Sequence, residues 1–401
     1  SLFNLPVSYS LVFFLYFCMS YAKLRRLVRG CRSADLCPPW ALAGLVDEAA
    51  KMRPYRKRLL ARLCDHACRR LAAFDGESLA TFAWAIGRAA FRHEPLLAQL
   101  ASGAPSHAGK LSPKGIASVA VSAARLRGRS KELPAALVVA AMPQLAAFGA
   151  REFANLLHSL ATLRFRNLFF LRVMSAHVLS RPVSDMAPRD ISTWCYSLAK
   201  LGFRHDALLR HMELVTVPQI QDFNPQDLSN MLYGLALLNA HELHLLLLAS
   251  CEHACFILRN FAAQGISNLI YALGILGFVH KPFLQAACEH IPCHIGEFTV
   301  QGVANIFYGI GHLGFLRGSL LAGILRALCD SPNVAAHHQT ARELSSLALA
   351  LGVVHSSLVD SHGPRWRDMR AANWKCCPPT ASDRQFHVYH RVGLTSSSEK
   401  K

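Results

Sequence analysis

The chain has 401 residues, is 52% hydrophobic and has a mean hydropathy of +0.23, which excludes a mostly disordered polymer because the apolar surface is large enough to offset ordering entropy. Forty-three Lys and Arg against 25 Asp and Glu leave a net charge of +18, a field that disfavours basic partners and attracts polyanions, RNA first and anionic lipid second. The 13 cysteines lie scattered through apolar segments, which excludes a small secreted disulfide scaffold and reads as reduced thiols used as core hydrophobes.

In chain order, residues 1–34 come first. Ser1 to Ala22 carries no charge, and Leu11 to Met19 is continuously apolar but shorter than the ~20 residues of a membrane span. Lys23, Arg25, Arg26, Arg29 and Arg32 follow with no acid before Asp35. The segment reads as an organelle presequence, a frayed basic terminus or a gene-model artefact. A membrane anchor ranks below these.

From residue 35 to 355 the chain repeats. An apolar, small, polar, apolar opening recurs with its first hydrophobe at Leu42, Leu79, Ile116, Phe153, Ile191, Leu228, Ile266, Val303 and Leu344, at successive intervals of 37, 37, 37, 38, 37, 38, 37 and 41 residues. Counting that hydrophobe as position zero, apolar residues return at positions three, seven and ten, as in Ile266, Leu269, Leu273 and Leu276, which is helical spacing. Ser112-Pro113, Ala187-Pro188 and Asn224-Pro225 are start signals. Gly202-Phe203, Gly277-Phe278 and Gly314-Phe315 are stop signals, with glycine at a left-handed cap. A second helix follows, covering Ala207 to Val215 in one unit and Phe283 to His290 in another.

Positions one, six and eight are small, as in Ser267, Ala272 and Gly274 or Ala304, Gly309 and Gly311, which permits close helix approach and leaves an apolar face that only the next unit covers. The expected fold is all-α: a right-handed α-solenoid of helix-turn-helix repeats with a period of 37 to 38 residues and about nine units. Residues 356–401, rich in proline and ending Ser-Ser-Ser-Glu-Lys-Lys, read as a poorly ordered tail.

Segments 153–165 (FANLLHSLATLRF) and 266–278 (ISNLIYALGILGF) resemble octotricopeptide or heptatricopeptide repeats. The resemblance runs from about Leu42 to His355 and is strongest between Phe153 and Phe315. It implies a solenoid that binds single-stranded RNA in an organelle, the mitochondrion first and the plastid as the alternative, acting in transcript processing, stability, translation or ribosomal RNA assembly. Ribosomal or RNA-processing proteins are the implied protein partners. Members of that family often end in a RAP domain, and no such segment is recognisable after His355.

Positions two, five and nine of the first helix fall together, opposite the main apolar stripe. Position two supplies Thr81, Ser118, Asn155, Thr193, Asn230, Asn268 and Asn305; position five supplies Trp84, Val121, His158, Tyr196, Tyr233, Tyr271 and Tyr308; position nine supplies Arg88, Arg125, Lys200 and His312. An amide hydrogen-bonds a base edge, a ring stacks on a base and a cation meets phosphate, so these columns are RNA-binding candidates. A ladder of Asn and Tyr bonding unit to unit explains the same columns without RNA, and Leu237 and Ile275 at position nine favour a protein surface. Arg53, Arg56, Lys57, Arg58, Arg62, Arg69 and Arg70 read as a phosphate track or a solvated helix face.

Two other motifs carry less. Gly309-Ile-Gly311-His-Leu-Gly314 has the spacing of a dinucleotide fingerprint but ends a helix instead of following a strand. Cys64-Asp-His66-Ala-Cys68, Cys251-Glu-His253-Ala-Cys255 and Cys288-Glu-His290 hold metal-capable types at nearly equivalent points of separate units, as repeat ancestry explains. No nucleophilic triad or paired-carboxylate motif stands out. The expectation is a protein that is not an enzyme, with no cofactor, no metal and no small-molecule substrate; the alternative to RNA binding is a protein-interaction scaffold or structural ribosomal component.

Overall fold

The computed structural model describes residues 38–51, 57–103, 106, 108–128, 130–180 and 186–315. The basic residues Arg53 and Arg56, the segment 1–34, the unit opening at Leu344 and the tail 356–401 lie outside them.

Among the described residues the secondary structure is helical, with no strand. Fifteen α-helices follow in pairs: α1 (Pro39–Lys51) with α2 (Lys57–Arg70), α3 (Gly76–Ala89) with α4 (Glu94–Ser102), α5 (Pro113–Arg125) with α6 (Glu132–Ala141), and α7 (Ala150–Thr162) with α8 (Leu168–Leu179). The series continues with α9 (Pro188–Lys200) and α10 (Asp206–Thr216), α11 (Pro225–Leu237) and α12 (His244–Phe256), α13 (Ala263–Leu276) and α14 (Lys281–Cys293), then α15 (Val300–His312). Each odd-numbered helix packs on the odd-numbered helices before and after it, and even-numbered helices pack likewise but less extensively. This neighbour-to-neighbour stacking is that of a helical solenoid.

The starts of the odd helices are fixed by local chemistry. Asp75, Ser112, Asn224 and Thr299 each accept a backbone N–H three residues on, at 2.7, 3.2, 2.9 and 3.1 Å, and so satisfy donors that a helix start leaves orphaned. Pro113, Pro188 and Pro225 stand at the first helical position. The ends share one device: the residue at position eleven is left-handed in every described unit from α3 onward. It is glycine at Gly202, Gly277 and Gly314, but Ala90, Arg127, Arg164 and Asn239 adopt the same φ of 49 to 55°. The next N–H then returns to the carbonyl five residues back, as Phe203 does to Leu198 at 3.0 Å.

Small residues set the spacing of the odd layer. A Cβ added at Gly274 would lie 2.5 Å from the Cα of Gly309, and one at Gly309 would lie 2.3 Å from the carbonyl oxygen of Ile270. Position eight of one unit thus faces position six of the next, and the same joint sets Gly87 against Ser122. Between layers runs a continuous apolar core that includes Phe82, Ile116, Leu157, Trp194, Leu232, Leu269 and Phe307. A second aromatic column, Phe74, Phe148, Phe223 and Phe261, closes the 3₁₀ turns that lead from an even helix into the next odd one.

Polar groups tie the even layer. The side chains of His93, Asn167, His205 and His280 cap α4, α8, α10 and α14 by accepting an N–H. Arg166 donates to the Gly202 carbonyl (2.9 Å) and Arg204 to the Leu238 carbonyl (2.7 Å) and Glu242 (2.7 Å), so each arginine caps the odd helix of the following unit. Cys64, Cys195, Cys251 and Cys288 are buried, and desolvation pushes the Cys64 and Cys195 thiols up to about 12, which makes them inert packing groups.

Candidate nucleic-acid interface

On the odd layer the position-five residues form a contiguous column. Ring centroids of Tyr196 and Tyr233 are 6.4 Å apart, those of Tyr233 and Tyr271 6.1 Å and those of Tyr271 and Tyr308 5.2 Å, with interplanar angles of 31 to 38°. The column exists because the small residues beside it let α9, α11, α13 and α15 approach. Burial, with the neighbouring phenols, pushes the Tyr271 hydroxyl up, and burial pushes Tyr308 up; both are therefore neutral hydrogen-bonding groups at physiological pH.

The spacing limits what these rings do. A base sandwiched between two rings needs centroids about 7 Å apart, twice a van der Waals contact. The tyrosines are closer than that, with their ring planes tilted to one another. Lys200 lies 5.4 Å over the Tyr196 ring, and His312 meets Tyr308 edge-on at 4.2 Å. The tyrosines thus contact one another ring to ring, which differs from the expected ladder of Asn and Tyr hydrogen bonds, and this spacing leaves no room for a base between adjacent rings. What these half-buried rings offer a ligand is their edges and hydroxyls.

Beside the column lies an open groove of about 400 Å³ lined by His158, Ser192, Thr193, Tyr196, Lys200, Asn230, Tyr233, Gln264 and Asn268. It brings together residues of α7, α9, α11 and α13 from all three predicted columns. Desolvation lowers the His158 pKa, so this ring is neutral at pH 7 and both donates and accepts. Ser192 and Gln264 were not signalled: they sit at positions one and minus two, where the repeat shows only smallness or polarity. Lys200 is the groove's cation.

The remaining candidates lie apart from the groove. Arg125 covers the Trp84 ring at 5.0 Å on α3 and α5, beside an exposed Thr81. Arg88 is committed to Asp47 of α1 through a 2.7 Å ion pair and a 2.9 Å bond to its carbonyl, and acts as a clamp between units. Asn305 accepts from Gln301 at 3.0 Å, and Asn155 is half-buried. Leu237 and Ile275 replace cations at position nine, and Leu237 is exposed.

The metal-capable sets serve packing. His253 Nε2 bonds the Phe223 carbonyl at 2.8 Å, tying α12 to the turn that starts α11, and His290 stacks on His294 at 4.0 Å. Among the described residues no three such groups converge on one point, and no helix is long and apolar enough to cross a membrane. The Gly309 to Gly314 run ends α15, its first glycine pressed against α13.

Residues 104–355, well over half of the chain, match the RNA-editing substrate-binding complex 6 protein family. Among curated proteins none matches. The chain belongs to that RNA-associated family.

Proposed function

We propose that this member of the RNA-editing substrate-binding complex 6 protein family holds single-stranded RNA along the odd-helix face, without covalent chemistry and without a cofactor. The observation that carries the reading is the groove beside the tyrosine column. It has amides at Asn230 and Asn268, hydroxyls at Thr193, Tyr196 and Tyr233 and a cation at Lys200, spread over three consecutive odd helices. Splayed base edges find donors and acceptors there, and a phosphate finds Lys200. Because adjacent rings stand too close to admit a base between them, base recognition runs through edges instead of intercalation.

The reading extends to a right-handed stack with a 37- to 38-residue period, of the octotricopeptide or heptatricopeptide kind, and the helical solenoid supports it. So does the basic chain, and an organelle, the mitochondrion first, fits it. The strand held is kept extended and presented to other machinery for processing, editing, translation or ribosomal assembly.

A protein-contact role has its own observation, on the other layer. Phe256 is 86% exposed, Leu214 73% and Leu245 67%, all on even helices. The Glu213 carboxylate accepts the Leu246 N–H at 3.0 Å, which ties α10 to α12. RNA on the odd face and protein on the even face are compatible.

The test is binding of the full chain to a randomised single-stranded RNA pool across a salt series, with duplex RNA as control. Enrichment of a motif that is lost on Asn230→Ala with Asn268→Ala supports base reading. Equal binding of single-stranded and duplex RNA, unaffected by those changes, removes it.

A further inference from the structure

The turn between odd and even helices carries a second feature. Arg127 and Arg164 occupy position eleven of adjacent units with φ of 52 and 54°, where three other units have glycine and two have Ala90 and Asn239. A side chain there strains the backbone, and the stack holds both arginines in that conformation, as it does Ala90. Both arginines are exposed, and the two turns adjoin, since a Cβ on Gly128 would lie 4.0 Å from the Leu163 side chain. Further along the same edge an open groove of about 510 Å³ is lined by Arg166, Leu168, Arg172, Gly202, Phe203, Arg204 and His205.

The local acids do not cancel this charge. Asp206 and Glu242 both hold Arg204, at 2.8 and 2.7 Å. Among the described residues no ion pair involves Arg127, Arg164, Arg166 or Arg172. The carbonyl end of α9, which would repel an anion, is covered at Gly202 by Arg166. In later units the same edge is Asn239, Gly277 and Gly314, without a cation at position eleven. Both grooves draw a lining residue from the end of α9, Lys200 in one and Gly202 in the other.

We propose that the turn edge formed by Arg127, Arg164, Arg166 and Arg172 is a second RNA site, a sequence-independent phosphate track onto which a strand leaving the tyrosine groove passes over the end of α9. The proposal rests on the reading of that groove as an RNA site. It predicts a polarity of contacts: base edges are read from α9 to α13, and backbone is held from α5 to α8.

The strained positions supply the test, because replacing their arginines by glycine removes charge while relaxing the backbone. The full chain and an Arg127→Gly, Arg164→Gly, Arg172→Gln variant are titrated with oligouridylates of about 6 and about 20 nucleotides over a salt series. The variant is expected to melt no lower than the parent and to bind the short strand unchanged. It should bind the long strand on the order of tenfold more weakly at about 0.1 M salt, with a salt slope shallower by about 2. Lysine at the three positions restores the slope. An unchanged long-strand affinity and slope overturns the track while leaving the groove standing; failure of both strands to bind the parent overturns both. Loss of polyglutamate binding in the variant with long-strand binding intact assigns the edge to an acidic protein instead and overturns the proposal.

Discussion

The odd and even layers solve the same packing problem differently. Odd helices meet through absent side chains, with Gly274 on Gly309 and Gly309 on the Ile270 backbone, and their outward face repeats polar and aromatic types at fixed positions. Even helices stand further from one another and are joined by directed polar bonds, Leu246 N–H to Glu213 and Arg204 to Glu242, with His253 and Arg166 tying them to the odd layer, while large apolar residues remain on their outer side. Close contact yields a regular surface that suits a periodic ligand such as a nucleic-acid strand. Polar tethers tolerate variation and free the outer surface for individual contacts.

The largest expected effect breaks the odd layer. Gly309→Val drives two branches into the Ile270 carbonyl and the Gly274 backbone and should cost more than about 3 kcal/mol, read by chemical denaturation. An equal substitution on the even layer's outer face, Leu245→Val, should change stability by less than about 0.5 kcal/mol. If the two cost the same, the layers do not differ in the way described.

His253→Leu tests the tethers. It leaves the Phe223 carbonyl without its donor and should cost about 2 kcal/mol. Hydrogen exchange should accelerate first in α12 and the turn before α11, with the odd helices protected until global unfolding.

The turns joining the layers predict opposite signs from one rule. Ala90→Gly and Arg164→Gly relieve left-handed strain and should each stabilise by about 1 kcal/mol, whereas Gly277→Ala should destabilise by about as much. Thermal melts of the three variants check this.

Acid sharpens the comparison further. Desolvation lowers the pKa of His211, His280 and His290, all on the even side, as it does for His158 on the odd side. The unfolded chain then binds protons more readily than the folded one, so their contribution is intact above the ordinary value of 6.5 and is lost as pH falls below it through the depressed folded values. A proton on Nδ1 of His280 also removes the acceptor for the Phe283 N–H. Melting should fall in steps below about pH 6.5, with exchange in α10 and α14 rising before that in α11 and α13.

Much of the fold was legible because helix periodicity and turn chemistry are written in residue types. Asn224-Pro225 cannot start a strand's interior, and Gly277 serves a left-handed cap at no steric cost. The same turn at Ala90, Arg127 and Arg164 was not legible, since nothing in those residues asks for positive φ; the tertiary stack imposes it. In the candidate site, the period placed the four tyrosines on one face, but a period gives angle and not distance. Whether neighbouring rings leave room for a base depends on how close α9 and α11 come, which Gly234 decides by lying against the Cys195 backbone. Arg88 was read as a free cation because its acid, Asp47, lies 41 residues away.

The joint between position eight of one unit and position six of the next asks only that both residues be small: Gly87 meets Ser122 and Gly274 meets Gly309. A seam with so undemanding a rule is indifferent to which units it joins. Gene duplication or loss of a whole helix pair would thus meet little resistance at this joint, and the length of the odd-helix face would be free to drift between lineages while its pattern stayed the same.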